Sequence, residues 1–324
     1  MTIGVVIPCY RQERFLPRTV AALEAALAGR DWQGVLVLSS PDEATALPEL
    51  SARWQVLRPG VRRPLTPGAA RNRGFAACGG AWVLFADADV ELQPDWIARV
   101  LAEAERADAQ VAGYWGRLEE WFVDGARQRP GARDMYRVGD GDHESPYLAT
   151  LALYRRDALA RAGAYDPRLN SEEDFELGLR LRAHGFRLYA RAPLAAKHWS
   201  APRPSFAEIG RRWRTGLCFG QGQALRLARG PAEFAAHARR QAHYFATLAL
   251  WLAAPALAAA AGARGLGLWA LALAALFAFM TVRKRDPRLA AHSLLTWTVN
   301  AAGMVVGFAR GGARADALDW GRPA

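Results

Sequence analysis

Cysteine is scarce in this chain, and its placement excludes more than it offers. Cys9, Cys78 and Cys218 are scattered and form no metal-spaced pair. Apolar neighbours mark Cys9 and Cys78 as reduced core residues. No Gly-x-Gly-x-x-Gly follows the first apolar segment, which argues against a dinucleotide fold. A net charge of +11 and a pI near 10.3 point to an anionic partner. No Lys/Arg run interleaved with aromatics and no common nucleic-acid motif is present, so nucleic acid ranks behind an anionic membrane surface and phosphorylated ligands. No signal peptide is expected ahead of the fold, because Ile3 to Ile7 reads as a first strand; the amino-terminal domain is therefore expected to face the cytosol.

Charge is missing altogether from two long stretches, 241–263 and 265–282. A bilayer span needs roughly 20 mainly apolar residues, with about 17 as the lower limit. Both stretches qualify, although Pro255 and abundant Ala weaken the first. Arg239 and Arg240 precede the pair, Arg283-Lys284-Arg285 follow it, and Arg264 alone sits in the connection. The positive-inside rule then makes the pair a hairpin with both outer flanks cytoplasmic. A third uncharged run, Leu289 to Ala309, contains His292, Thr296, Thr298 and Asn300, and either crosses the membrane or lies partly in its interface. The alternative for all three is a soluble helical subdomain with Ala-rich core helices.

What the rest of the chain is arranged around is Ala81 to Trp96. Its apolar run (Trp82, Val83, Leu84, Phe85) reads as a strand buried on both faces of a sheet. The run ends in Asp87-Ala88-Asp89, and Pro94 opens a helix with Ile97, Val100 and Leu101 at helical spacing. Ligands of open α/β sheets bind beyond the carboxyl ends of strands. Two carboxylates there suit Mg²⁺ or Mn²⁺ gripped together with substrate phosphates; the bland reading is a strand end with turn-forming Asp. Strands at 3–7, 35–38 and 55–57 alternate with a helical pattern in 11–29 and a small-residue helix led into by 66–74, which predicts a mostly parallel, doubly wound α/β sheet. Residues 114–147 read as irregular, either an acceptor-binding loop or a surface excursion. Ser171 reads as the cap of a helix with Asp174 three residues on, placing Glu173 and Asp174 in the first turn. A further strand is expected at 186–190, ahead of His198 and Trp199.

These motifs together resemble the family 2 glycosyltransferases of GT-A fold. The resemblance rests on Val6-Ile-Pro-Cys-Tyr10, Ala70-Arg-Asn-Arg-Gly74, Phe85-Ala-Asp-Ala-Asp89 with Pro94, Tyr154-Arg155-Arg156, Gly163-Ala-Tyr-Asp166 and Glu173-Asp-Phe-Glu-Leu177 with Arg180. Each is weak alone; their order and spacing fit across roughly residues 3 to 200.

The resemblance implies transfer of a sugar, with inversion, from a nucleotide diphosphate donor. Asp89 would be the principal ligand of Mn²⁺ or Mg²⁺, with His198 near the metal and diphosphate. Asp87 would hold the donor's ribose or sugar, and Pro8, Tyr10 and Arg71 would contact the nucleotide. Asp174 would be the general base; Glu173 and Glu176 would shape the acceptor side or support it from behind. The segment Arg211-Arg-Trp-Arg214 falls at an expected interfacial helix, which would clamp phosphate or lie on anionic headgroups with Trp213 as anchor. In one departure, the second strand ends in Ser39-Ser40, with the acidic residue displaced to Asp42, so the nucleotide base is read either by Asp42 or differently.

The expected architecture is a GT-A-type catalytic domain over 1–230, cytosolic, followed over 231–324 by a helical membrane region with two to three hydrophobic helices, at the inner (cytoplasmic) membrane. The expected partners are a nucleotide-diphosphate sugar and a lipid or lipid-linked acceptor. A processive polysaccharide synthase is disfavoured, since Gly210-Arg-Arg-Trp213 echoes a Q-x-x-R-W motif only in part. A nucleotidyltransferase would carry a Gly-rich basic loop after the first strand. From another class, a non-catalytic nucleotide-sugar-binding or scaffold protein with a retained fold has no physical need for Asp87, Asp89 and Asp174 together.

Overall fold

The computed structural model describes residues 1–39, 47–58, 64–201 and 206–312. Contacts divide these between two compact units, Met1–Pro202 and Arg203–Gly312, so the composition change near Gln241 lies inside the second.

In the first unit the apolar runs become strands. Strands β1 (Ile3–Cys9), β2 (Trp32–Leu38), β3 (Trp54–Leu57) and β4 (Trp82–Phe85) lie in parallel in the order β3-β2-β1-β4. Helices α1 (Leu16–Ala26) and α2 (Pro67–Ala77) are interleaved with them. Because side chains alternate along a strand, Ile3, Val5 and Ile7 join Leu16, Val20 and Leu23 of α1 in one core layer. Val6 joins Ala69, Ala70 and Phe75 of α2 in the other. Each fully buried Leu or Phe of these layers contributes roughly 1.5–3 kcal/mol.

Beyond β4 come β5 (Val90–Leu92), α3 (Pro94–Arg106), β6 (Val111–Asp124), β7 (Arg127–Pro130), β8 (His143–Glu144) and β9 (Ala152–Arg155). They are followed by α4 (Arg156–Ala162), α5 (Glu173–Ala183) and β10 (Arg187–Ser200). Here the sheet turns mixed. β9 inserts antiparallel between β4 and β6, while β10 runs parallel to β6 and antiparallel to β5. α3 lies in the layer of α1 and α5 in that of α2, so helices cover both faces.

Two local expectations are corrected. Residues 114–124, read as irregular, form most of the 14-residue strand β6. Gly113, Gly116 and the charges at Arg117, Glu119 and Glu120 lower strand propensity, and pairing with β9 and β10 overrides it. Gly116 is required there, since a Cβ would fall 2.4 Å from the Trp96 Nε1 atom. The N-cap position of helix α5 is Glu172, in the left-handed conformation (φ 71) and without a side-chain capping bond, rather than Ser171.

The second unit holds α6 (Phe206–Arg214), a 3₁₀ turn (Leu217–Phe219), α7 (Gly220–Leu227), α8 (Pro231–Arg240), α9 (Ala242–Lys284) and α10 (Pro287–Arg310). Non-helical Gly262 (φ 57, ψ −137) breaks α9 into two arms. Trp269 Nε1 donates to the Leu250 carbonyl at 2.7 Å, and Trp251 packs on Trp269 with ring centroids 5.4 Å apart. A Cβ at Gly265 would sit 2.1 Å from the Leu257 carbonyl oxygen. The two uncharged runs thus form the expected hairpin, with Leu252, Leu268, Leu271 and Val282 exposed. The third run is helical. Asp286 caps α10 by accepting from the Arg288 and Leu289 amides, and Gly303 and Gly307 let it approach the backbone of Cys218 and Phe219. By length and composition, α9 and α10 are each able to cross a membrane.

Candidate active site

The Asp-x-Asp turn sits where β4 ends, beside the end of β1. Thr19 of α1 donates its hydroxyl to the Ala88 carbonyl at 3.0 Å, and the Ala86 amide donates to Val6 at 3.0 Å. The turn is therefore held from two sides, and its two carboxylates diverge.

Asp89 is buried. Its Oδ2 accepts from Gln12 Nε2 and lies 3.5 Å from His198 Nε2 on β10. Antiparallel pairing of β10 with β5 brings His198 there, opposite Val90. Burial pushes the Asp89 carboxyl up to about 6, against the pull of His198 and Gln12. Asp89 Oδ1 and His198 Nδ1 are buried without a hydrogen-bond partner. An orphaned carboxylate oxygen beside an imidazole fits Mg²⁺ or Mn²⁺. Among the described residues no group of three or more His, Cys, Asp and Glu could hold a metal ion. A cation here would need donor phosphates to complete its shell.

Asp87 points the other way, to Arg71. This guanidinium, buried on α2, donates to Asp87 Oδ1 at 3.0 Å and to Glu173 Oε1 at 2.6 Å, and lies 3.6 Å from Asp174 Oδ1. Thr66 caps α2, accepting from the Ala69 amide. Asn72, one residue beyond Arg71, bonds both the amide and the carbonyl of Tyr165. Tyr165 packs on Phe85 and beneath Arg71, 5.3 Å from ring centroid to guanidinium. Arg71 is thus fixed by its helix, by a loop 93 residues away and by three acids. Desolvation opposes its charge, but the acids outweigh it and raise its pKa.

Asp174 and Glu173 open α5, where the helix end favours carboxylates. Burial nevertheless lifts Asp174 far above the ordinary carboxylate range, with Glu173 and Asp87 adding to it. Arg71 and the backbone N–H of Thr150 pull against that rise. Glu176, one turn on, is bound bidentately by Arg180, both distances 2.6 Å. Arg180 also donates to the Ala162 carbonyl, so Glu176 supports α5 from behind.

The structure therefore brings Asp87, Asp174, Glu173 and Arg71 together, and sets Asp89 with His198 beside them. Pro8 and Tyr10 stand at the carboxyl end of β1. Trp213 lies on α6 in the second unit, its ring 5.3 Å from Phe219. Asp42 lies outside the described residues. Sequence reasoning missed Gln12, which follows the first strand of a doubly wound sheet, a position that points to it.

The residues from β1 to the end of α4 match a known family. Residues 4–163 fit the family described as Glycosyl transferase family 2, so this part of the chain is a family 2 glycosyltransferase domain, with a GT-A fold. It is 36% identical over 98 residues to "Succinoglycan biosynthesis protein ExoO" of Rhizobium meliloti, covering 29% of this chain and 28% of the relative. It is 34% identical over 162 residues to "Undecaprenyl-phosphate 4-deoxy-4-formamido-L-arabinose transferase" of Pseudomonas fluorescens, covering 48% and 47%. The chain spans less than half the length of these two relatives. Among solved structures, the mannosyltransferase PcManGT from Pyrobaculum calidifontis, in complex with GDP-Man and Mn²⁺, superposes with a TM-score of 0.60 at 21% identity. That likeness covers 95% of this chain and 86% of the other.

Proposed function

We propose that this protein transfers a sugar, with inversion, from a nucleotide-diphosphate donor to a lipid or lipid-linked acceptor at the cytoplasmic face of the inner membrane. The observation that carries this reading is the placement of an unsatisfied buried acid, Asp89 beside His198, and a half-buried basic carboxylate, Asp174, with Arg71 linking Asp174 to the Asp-x-Asp turn through Asp87.

Asp89 and His198 would hold Mn²⁺ or Mg²⁺ together with the donor's phosphates. When bound, the cation neutralises charge developing on the leaving diphosphate. Asp87, oriented by Arg71, would bind the donor's ribose or sugar. Pro8 and Tyr10, with Asp42, would contact the nucleotide. The acceptor hydroxyl oxygen attacks the anomeric carbon from the face opposite the diphosphate, and its proton passes to the Asp174 carboxylate. The bond from that carbon to the phosphate oxygen breaks, and its electron pair leaves on the nucleoside diphosphate. Burial makes Asp174 a stronger base than an exposed carboxylate, which suits proton abstraction near neutral pH. Glu173 keeps Arg71 in register with it, and Glu176 keeps α5 in place.

The acceptor class is supported by the exposed apolar hairpin, by its basic flanks, and by the relative named for undecaprenyl phosphate. On this reading residues 1–230 are catalytic, and 231–324 attach the protein to the membrane, with Trp213 anchoring α6 at the interface.

The test is release of nucleoside diphosphate by detergent-solubilised protein across a panel of nucleotide sugars, with Mn²⁺ or Mg²⁺, with and without a membrane-lipid extract. Metal-dependent release from one donor, stimulated by lipid and lost in Asp89→Ala and Asp174→Asn, is expected. No release from any donor, with donor binding intact in Asp174→Asn, would point to a non-catalytic nucleotide-sugar-binding protein.

A further inference from the structure

Helix α9 folds back on itself at Gly262, with Trp251 against Trp269 and Leu257 beside Gly265. Its first and last turns therefore stand at the same, open end of the hairpin. Each arm is about 30 Å long at a rise of about 1.5 Å per residue, which matches the hydrocarbon thickness of a bilayer. Arg239 and Arg240 precede the open end and Arg283, Lys284 and Arg285 close it, so on the proposed function it faces the cytosol.

Helix α10 is tied to this end at three places along its length. It starts at Pro287, directly after the basic residues that close α9. At its middle, Asn300 Nδ2 donates to the Tyr244 hydroxyl at 3.0 Å, and the Trp297 ring lies 6.2 Å from that of His243. His243 and Tyr244 belong to the first turn of α9. Toward its carboxyl end α10 packs on α7: a Cβ at Gly222 would fall 1.8 Å from the Met304 carbonyl oxygen, and Arg226 donates to the Phe308 carbonyl at 3.1 Å. α7 is itself tied to the start of α9, since Gln241 Nε2 donates to the Gln221 carbonyl at 3.1 Å. The start, middle and end of α10 thus lie at one level. Its crossing with α9 is steep. Trp251 Nε1 donates to the Thr298 hydroxyl at 3.0 Å, so Tyr244 and Trp251, about 10 Å apart along α9, meet residues only about 3 Å apart along α10.

We propose that α10 does not cross the bilayer but lies in its cytosolic interface, across the open end of the α9 hairpin, with its apolar face on the acyl chains. The inference rests on the reading of α9 as a membrane hairpin. A spanning α10 would carry Asn300 to the bilayer midplane and Tyr244, four residues after Arg240, with it. A polar group is costly at that depth, and Arg240 belongs at the surface. In the interface, Asn300 and the buried amides of Gln221 and Gln223 on α7 stay out of the hydrocarbon. Leu295, Ala302, Val305 and Ala309 recur on one side of α10 and are all exposed. Arg288 and Arg310 flank that stripe at the two ends of the helix, where each can meet headgroup phosphates.

The test uses full-length protein in vesicles of phosphatidylethanolamine and phosphatidylglycerol, nitroxide-labelled at Leu295→Cys or Val305→Cys. Both positions are exposed, whereas the native Cys9, Cys78 and Cys218 are buried. The two labels are about 15 Å apart along the helix. Their depths, read from collisions with oxygen and with a water-soluble nickel complex, should agree within about 5 Å and fall at the boundary of headgroups and acyl chains. In sealed vesicles of one orientation, a membrane-impermeant maleimide should label Arg264→Cys at the hairpin turn and Ala309→Cys at the end of α10 from opposite faces. Depths that differ by about 15 Å, or labelling of both cysteines from the same face, would overturn the interfacial placement. A wash in alkaline carbonate separates this inference from the reading beneath it. If the wash strips the protein from the vesicles, α9 is not a membrane hairpin and both fall; if the protein stays while the two depths differ, the placement of α10 alone falls.

Discussion

Asp89 is buried and Asp174 half-buried; both have an elevated pKa, yet each is held in a different way. Asp174 lies beside a cation, Arg71, which it shares with Asp87 and Glu173. Asp89 has an amide donor and an imidazole, and one of its oxygens has no partner. On the proposed function the Asp174 end is the acceptor end and the Asp89 end the donor end: the acid beside Arg71 would cycle a proton, and the one with an orphaned oxygen would take a cation. The sharpest way to break this contrast is to remove each acid in turn. Asp89→Ala and Asp174→Asn should each cost transfer roughly a thousandfold or more. Metal-dependent donor binding, followed by calorimetry, should vanish only in Asp89→Ala. Equal loss of donor binding in both variants would erase the distinction between the two ends.

Arg71 joins the two ends, because it bonds Asp87 on the donor side while facing Asp174. Replacing it by Ala would leave Asp87, Glu173 and Asp174 uncompensated. Removing one partner of a buried ion pair costs about 3–5 kcal/mol, so Arg71→Ala should lower Tm by many degrees and abolish activity. Arg71→Lys should restore part of the stability but little of the rate. Its single ammonium cannot reproduce a fork that reaches two carboxylates at once. Comparable activity in Arg71→Lys and the wild type would show that charge alone, and not geometry, couples the ends.

How much of this was legible in the sequence follows the same division. The parallel strands β1, β2 and β4 announce themselves as short apolar runs, and the donor-side acids stand directly after one of them. Local pattern was enough. The acceptor side depends on pairings remote in sequence, with β9 against both β4 and β6. β6 itself carries glycines and charges that no local rule reads as strand. Asp174 was legible only through its motif in the first turn of a helix. The hairpin was readable because absence of charge is a strong local signal, while the Gly262 break that closes it becomes visible only in the fold.

The smallest expected effect separates the two ends by pH. The unfolded chain should titrate Asp174 near the ordinary value of about 4, whereas in the fold its pKa is raised to about 8. For an acid shifted upward, the folded state is favoured below the unfolded pKa, and that advantage is lost as pH rises through the folded one. Wild-type protein thus carries a growing penalty across this window, because Asp174 must ionise where burial opposes its charge. Asp174→Asn carries no such penalty. Its Tm should match that of the wild type near pH 4 and rise above it by several degrees as pH approaches about 8. The inactive variant would then be the more stable one under alkaline conditions, which is the signature of a group retained for chemistry at the expense of stability. A Tm difference that stays constant across the window would mean that Asp174 titrates in the fold as it does in the unfolded chain, and the contrast between Asp174 and Asp89 would lose its electrostatic basis.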